Sequence, residues 1–225
     1  MNRRAVLGAA AALASLQAAG ARAGAQRYEP LAATVRASLS RAVSDAAVPV
    51  HAFASDAEAT HWLADMSARL ARRMPDEALR REFLLTLHYE ATRAGLDPQL
   101  VLGLIQVESA FRKYAVSSAG ARGFMQVMPF WTDVIGGPEH NLFHLRTNLR
   151  YGCVILRHYL DIEQGNLFRA LGRYNGSLGR PEYPNLVVRA WVSSWKYDPR
   201  APLQVAESTR PTVPGLPADY SPRPR

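Results

Sequence analysis

The sequence predicts a mainly α-helical fold. Apolar residues recur at helical spacing in one segment after another, and Pro, Gly, Asp and Asn stand where helices would start and stop. No stretch shows the sustained apolar–polar alternation of a half-buried strand, and no internal repeat is visible.

The chain opens on a segment that does not belong to the fold. Asn2-Arg3-Arg4 supplies positive charge, Ala5 to Gln17 is apolar and rich in Ala and Leu, and Ala21-Arg22-Ala23 fits the small-x-small cleavage rule. Residues 1–23 therefore read as a cleavable secretory signal, with an uncut anchor as the alternative. The apolar run is short for a permanent membrane helix. The Arg3-Arg4 pair followed by Ala5-Val6-Leu7 is a weak match to a twin-arginine signal. No second long apolar run follows, so the mature chain is expected to be soluble.

Residues 24–75 read as an N-terminal leader and helical extension. The stretch 24–55 is rich in Ala and Ser and is expected to be loose, with one helix near Leu31–Val43. Ser55 and Asp56 then cap a helix carrying Trp62, Leu63, Met66 and Leu70.

The main domain is placed at 76–198. Pro75-Asp76 starts a helix whose apolar face holds Leu79, Phe83, Leu84, Leu87 and Ala91, and Gly95 is placed to end it. Asp97-Pro98 supplies an N-cap followed by Pro at the first helical position. Val101, Leu104, Ile105 and Glu108 follow at i, i+3, i+4 and i+7. After a glycine-studded stretch, Gly136-Gly137-Pro138 predicts a loop. Asn148 to Leu160 is a strong helix, Gly165 ends it, and Asn166 caps the next, with Leu167, Ala170, Leu171 and Tyr174. Tyr183 to Tyr197 is predicted helical. Seven prolines in 199–225 predict an extended, largely disordered tail.

Composition narrows the function classes. With 225 residues and 48% hydrophobic content the chain can bury a real core. Of its +8 formal charge, three belong to Arg3, Arg4 and Arg22, leaving +5 on the mature chain. A basic exported protein suits an anionic target such as a cell wall or a lipid surface. No nucleic-acid motif is present, and export argues against that partner. Cys153 is the only cysteine, which excludes an internal disulfide; its apolar neighbours Val154, Ile155 and Leu156 predict a buried thiol.

Glu108 is the residue that needs an explanation. Periodicity places its carboxyl on the stripe that should face the core, where desolvation raises a carboxyl pKa. A carboxylic acid that holds its proton near neutral pH is what a general acid requires. Periodicity alone leaves another reading open: a helix-end Glu that reaches water or pairs with Arg112.

Other groups have plainer readings. His140 and His144, with Glu139, are four apart, but they follow a loop and lack the His-Glu-x-x-His order, so no metal site is expected. His51, His61, His88 and His158 read as surface or packing residues. Trp131, Trp191 and Trp195 read as core rather than sugar-stacking residues. Arg69, Arg72, Arg73, Arg80 and Arg81 read as a solvated helix face.

Three words stand in order along the chain: Glu108-Ser109-Ala110-Phe111, then Ser117-Ser118-Ala119-Gly120-Ala121-Arg122-Gly123-Phe124-Met125-Gln126-Val127-Met128-Pro129, then Ala170-Leu171-Gly172-Arg173-Tyr174-Asn175-Gly176-Ser177. Together they resemble the soluble lytic transglycosylase family, over roughly Leu79 to Trp195. The resemblance implies a lysozyme-like helical domain of the goose type with a substrate groove.

It also implies Glu108 as the acid and base that cleaves the bond between N-acetylmuramic acid and N-acetylglucosamine in peptidoglycan. It implies Ser117, Met125, Gln126, Tyr174 and Asn175 as substrate-binding residues, although Ser117 also fits an ordinary turn serine and Met125 plain core. The substrate's own N-acetyl group would replace the second carboxylate of most glycosidases, with a 1,6-anhydro product and no metal or cofactor. A hydrolytic goose-type lysozyme and a catalytically dead glycan-binding protein are the rivals. With the leader, the resemblance implies a periplasmic protein whose partner is the glycan strand, with room for wall-surface, membrane-surface or envelope-assembly association. The chain departs from the family pattern in one place: Gly176-Ser177-Leu178-Gly179 stands where glycine-proline-glycine is usual.

Overall fold

The structure is a computed structural model that describes residues 26–44 and 53–199. Residues 1–23, which the sequence predicts to be a secretory signal, and all but the first residue of the Pro-rich tail lie outside the described residues. Among the described residues there are eight α-helices and no strand: α1 Ala33–Ser44, α2 Asp56–Leu70, α3 Glu77–Arg93, α4 Pro98–Glu108, α5 Phe130–Ile135, α6 Leu145–Ile162, α7 Leu167–Asn175 and α8 Glu182–Ala190. α8 continues into a π-helical turn, Trp191–Trp195. The fold class is mainly α, as the periodicity predicts.

Local chemistry sets the helix starts. The Ser55 hydroxyl accepts from the Glu58 amide at 3.1 Å, and the Glu58 carboxylate accepts from the Ala54 amide at 2.9 Å, a variant of the capping box. Asp76 caps α3 through the Leu79 amide, and Asp97 caps α4 through Gln99 and Leu100. Asn166 caps α7 through Arg169. Gly95 and Gly165 end α3 and α6 with positive φ.

The core is one continuous cluster that α3, α4 and α6 supply most heavily. α4 is nearly surrounded: Leu100 to Ile105 are all buried. Its Gly103 lets the π-helical turn approach so closely that a Cβ there would lie 2.9 Å from the Trp191 amide nitrogen. Trp131 and Trp195 are buried, Trp191 packs against the core, and Cys153 is buried, all as expected.

Three expectations need correction. Leu79 is 58% exposed, because it lies in the first turn of α3, before that helix meets its neighbours; Phe83, Leu84, Leu87 and Ala91 do face the core. Arg80 is buried, not solvated: its guanidinium donates to the Ser67 hydroxyl and to the Met74 and Pro75 carbonyls, closing the α2–α3 turn. The start of the leader is docked rather than loose. Gln26 is buried, and its amide oxygen accepts from the Met128 amide and the Trp131 indole N–H. Periodicity could not reveal such a contact, since its partners lie over 100 residues away.

Candidate active site

Glu108 ends α4 and is 4% exposed. The Tyr183 hydroxyl, from the first turn of α8, donates to its Oε1 at 2.5 Å. Its Oε2 is buried with no hydrogen-bond partner in the protein. Burial pushes the Glu108 pKa up to about 8, against the smaller opposing effect of the Tyr183 hydrogen bond. No neighbouring carboxylate is among the causes of that shift. Arg112 is not a partner: its Nε donates to the Ser109 carbonyl. The site thus holds one isolated carboxyl that keeps its proton near neutral pH, with one oxygen anchored and the other unclaimed.

The residue after the acid fastens the helix end. The buried Ser109 hydroxyl donates to the Phe124 carbonyl at 2.7 Å, and so joins α4 to the 115–128 loop. That loop is pinned from the other side by Asn148 of α6. The Asn148 Oδ1 accepts from the Met125 amide at 2.8 Å, and its Nδ2 donates to the Arg122 and Leu142 carbonyls. Gly123 takes φ +75°, and a Cβ there would lie 2.4 Å from the Asn148 amide nitrogen, so both backbone conformation and space require glycine.

The resemblance-derived residues fall into this frame in different ways. Tyr174 is fully buried on α7; its hydroxyl donates to the Met125 carbonyl at 2.8 Å, and the nearby Glu108 charge helps hold its pKa above the ordinary tyrosine value, after burial itself. Met125 is fully buried, with its side chain packed on the face of Gly152. Gln126 is buried with φ +50°, and its amide donates to the Ala115 and Gly123 carbonyls, bracing the loop from within. The half-buried Ser117 accepts from the Ala121 amide at 3.1 Å, which is the turn-serine role. Asn175 is half-buried at the end of α7. Glu108, Tyr174, the Met125 backbone and Tyr183 are linked to one another; Ser117 and Gln126 act, through these bonds, on the loop.

Tyr183 is the site residue that sequence reasoning missed. One signal was available. Tyr183, Val187 and Ala190 share the buried stripe of α8, and a buried tyrosine hydroxyl needs a partner. His140, the metal-like residue of the sequence, bonds its ring to the Tyr151 hydroxyl and to Glu139, while His144 is exposed at the start of α6. Among the described residues no group of three His, Cys, Asp or Glu side chains is arranged to hold a metal ion.

Residues 86–184 match the family described as the transglycosylase SLT domain, and the match spans Glu108, the 115–128 loop, Tyr174 and Tyr183. Over this stretch, less than half of the 225 residues, the chain is similar to the transglycosylase SLT family.

Curated relatives include the membrane-bound lytic murein transglycosylase C of Haemophilus influenzae (strain PittEE), 45% identical over 119 residues, covering 46% of this chain and 33% of that protein. The protein of the same name from Actinobacillus pleuropneumoniae serotype 5b (strain L20) is 49% identical over 53 residues, covering 24% of this chain and 14% of that protein. The chain therefore spans a third or less of these relatives' length. Among solved structures, an inactive variant of the lytic transglycosylase Slt from Pseudomonas aeruginosa aligns with TM-score 0.40 and 24% identity, over 56% of this chain and 26% of that one. The 70 kDa soluble lytic transglycosylase from Escherichia coli aligns with TM-score 0.38 and 20% identity, over 63% and 26%.

Proposed function

We propose that this SLT-domain protein cleaves the β-1,4 bond between N-acetylmuramic acid and N-acetylglucosamine in peptidoglycan, without water, forming a 1,6-anhydro end. The observation that carries the reading is Glu108: a buried, protonated carboxyl with Oε1 held by Tyr183 and Oε2 free of protein partners. Oε2 is the oxygen from which a proton can pass to the glycosidic oxygen. As the bond breaks, Glu108 becomes a carboxylate in low-dielectric surroundings, where the Tyr183 hydroxyl stabilises it. That carboxylate then takes the proton of the muramic acid 6-hydroxyl as its oxygen attacks C1. One residue serves as acid and then as base.

Most glycosidases stabilise the oxocarbenium-like transition state with a second carboxylate, and here no carboxylate contributes to the Glu108 pKa. Assistance by the substrate's own N-acetyl group fits that isolation. The names of the relatives, lytic murein transglycosylases, support the same substrate and outcome. In this reading the buried Met125, Gln126 and Tyr174 build the frame behind Glu108, Asn175 at the end of α7 is left to meet the glycan, and Ser117 shapes the loop. The leader and the +5 mature charge support a periplasmic location against the anionic wall. No described helix is long and apolar enough to cross a membrane.

The test is digestion of purified sacculi with product analysis by mass spectrometry. Anhydro ends are expected from the wild-type protein and near-complete loss of product from Glu108→Gln. New reducing ends would mean a hydrolytic lysozyme instead. Binding to sacculi without any cleavage would mean a glycan-binding protein.

A further inference from the structure

Val127 pairs with Arg122 in both directions: the Val127 amide donates to the Arg122 carbonyl at 3.0 Å, and the Arg122 amide to the Val127 carbonyl at 2.9 Å. Backbone groups of an extended segment point alternately to its two edges, so the Gln126 carbonyl and the Met128 amide face the other side. Among the described residues no strand lies there to receive them. Buried backbone groups need partners. One side chain supplies both. The Gln26 Nε2 donates to the Gln126 carbonyl at 3.4 Å, and its Oε1 accepts from the Met128 amide at 3.2 Å and from the Trp131 indole N–H at 3.1 Å. The Gln26 amide thus takes the place of a neighbouring strand's peptide group. Only Asn and Gln carry a donor and an acceptor in one planar side-chain amide.

The same amide acts on α7. It reaches the Tyr174 hydroxyl, in a hydrogen bond that opposes the upward pKa shift of that tyrosine. The Tyr174 hydroxyl in turn donates to the Met125 carbonyl, and Tyr174 feels the Glu108 charge. Three residues after Gln26, Glu29 accepts from Arg173 at 2.9 Å, next to Tyr174 on α7. Residues 26–29 therefore bind both segments that meet beside the acid. They lie outside the family-matched residues 86–184, so the family likeness does not assign them a role.

We propose that Gln26 is a positioning residue for the reaction of Glu108: its side-chain amide fixes the Gln126–Met128 segment and the Tyr174 hydroxyl at one spacing, and that spacing sets how Glu108 meets the glycosidic oxygen. Gln26 touches no substrate and acts through Tyr174 and the loop. The inference rests on the glycan-cleaving reading for its kinetic test, while the protonation of Glu108 supplies a test that needs no cleavage. Without the Gln26 amide the loop relaxes and water approaches the acid, so the desolvation that holds the Glu108 proton weakens. The titratable groups that feel Glu108 are Tyr174 and Tyr183, both kept protonated by burial, so a titration midpoint near neutral pH reports Glu108 itself.

The experiment compares the wild-type chain with Gln26→Met, which keeps the side-chain length and removes donor and acceptor, and with Arg80→Met. Arg80 closes the α2–α3 turn and shares no hydrogen bond with the site, so its variant is destabilised without touching the frame of Glu108. Cleavage of purified glycan strands is measured well below the Tm of every variant. In Gln26→Met kcat should fall about tenfold or more with KM kept within about twofold, whereas Arg80→Met keeps the wild-type kcat. In a Tyr174→Phe background the Gln26 substitution should add no more than about a threefold loss, because the two residues act through one contact. The ¹³C carboxyl resonance of Glu108, assigned by its absence from Glu108→Gln, should titrate about half a pH unit or more lower in Gln26→Met and stay unmoved in Arg80→Met. If Gln26→Met does not fold, Gln26→Asn, with the amide one methylene short, is measured in its place with the same expected directions. A wild-type kcat in the Gln26 variant, an equal loss in the Arg80 variant, an undiminished loss in the Tyr174→Phe background or an unmoved Glu108 midpoint would each overturn the proposal. If the wild-type protein cleaves no glycan, the catalytic reading falls and the midpoint alone decides: a shift confined to the Gln26 variant keeps Gln26 as the support of Glu108.

Discussion

At the residue scale the protein depends on how Glu108 holds its proton. Its pKa is near 8 in the folded chain against 4.5 as an ordinary carboxyl. The folded state therefore binds more protons than the unfolded chain between those values. The stability from keeping Glu108 neutral is present in full below about pH 4.5 and is lost as pH rises through 8. Thermal unfolding should show a midpoint that declines from pH 5 to pH 8, and Glu108→Gln, neutral at every pH, should flatten that slope. A wild-type slope identical to that of the Gln variant would mean that Glu108 titrates normally.

Tyr183 makes the converse prediction. Its hydrogen bond favours the ionised form of Glu108, so Tyr183→Phe should push the Glu108 pKa above 8 and move the alkaline limb of kcat/KM to higher pH. Activity at neutral pH should fall by roughly ten- to a hundredfold, because the carboxylate formed on proton donation loses its donor. A loss of activity with the alkaline limb unmoved would point to a packing role for Tyr183.

At the scale of elements, the site rests on joints between helices. Glu90 of α3 is fully buried and accepts from Arg93, from Arg146 and from Arg150 of α6, with the Arg150 Nη2 at 2.9 Å. Removing a single partner from such a cluster strands the others. Glu90→Ala leaves the buried Arg150 without its carboxylate and should cost about 3–5 kcal/mol in chemical denaturation. A cost below about 1 kcal/mol would mean that water replaces the glutamate. The consequence for function is indirect: α6 carries Asn148, which holds the Met125 amide and hence the loop beside Glu108.

At the scale of the whole molecule, residues before the family-matched segment complete the region around the site. Gln26 fills a buried position between Met128 and Trp131, and Tyr28 packs edge-on against Phe130. Gln26→Ala would leave the Trp131 indole N–H and the Met128 amide unpaired, at a cost of about 1–3 kcal/mol. Differential scanning calorimetry should record a Tm lower by several degrees, at roughly 2–4 °C per kcal/mol for a chain of this size. An unchanged Tm would mean that the leader does not dock.

Sequence alone determined the helices, their caps and the burial of Glu108, because these depend on local rules. Asp76, Asp97 and Asn166 cap the helices that follow them, and the i, i+3, i+4, i+7 stripe places Glu108 in the interior. The three ordered words were legible for the same reason, since each is a short contiguous loop or helix end. The tertiary structure decided which side chains meet. Tyr183 reaches Glu108 across 75 residues, Asn148 reaches Met125 across 23, Gln26 reaches Trp131 across 105, and Arg80 turns inward to close a loop. Hydrogen bonds between distant segments leave no period in a sequence. Which oxygen of Glu108 is anchored and which is free is therefore a property of the packed helices.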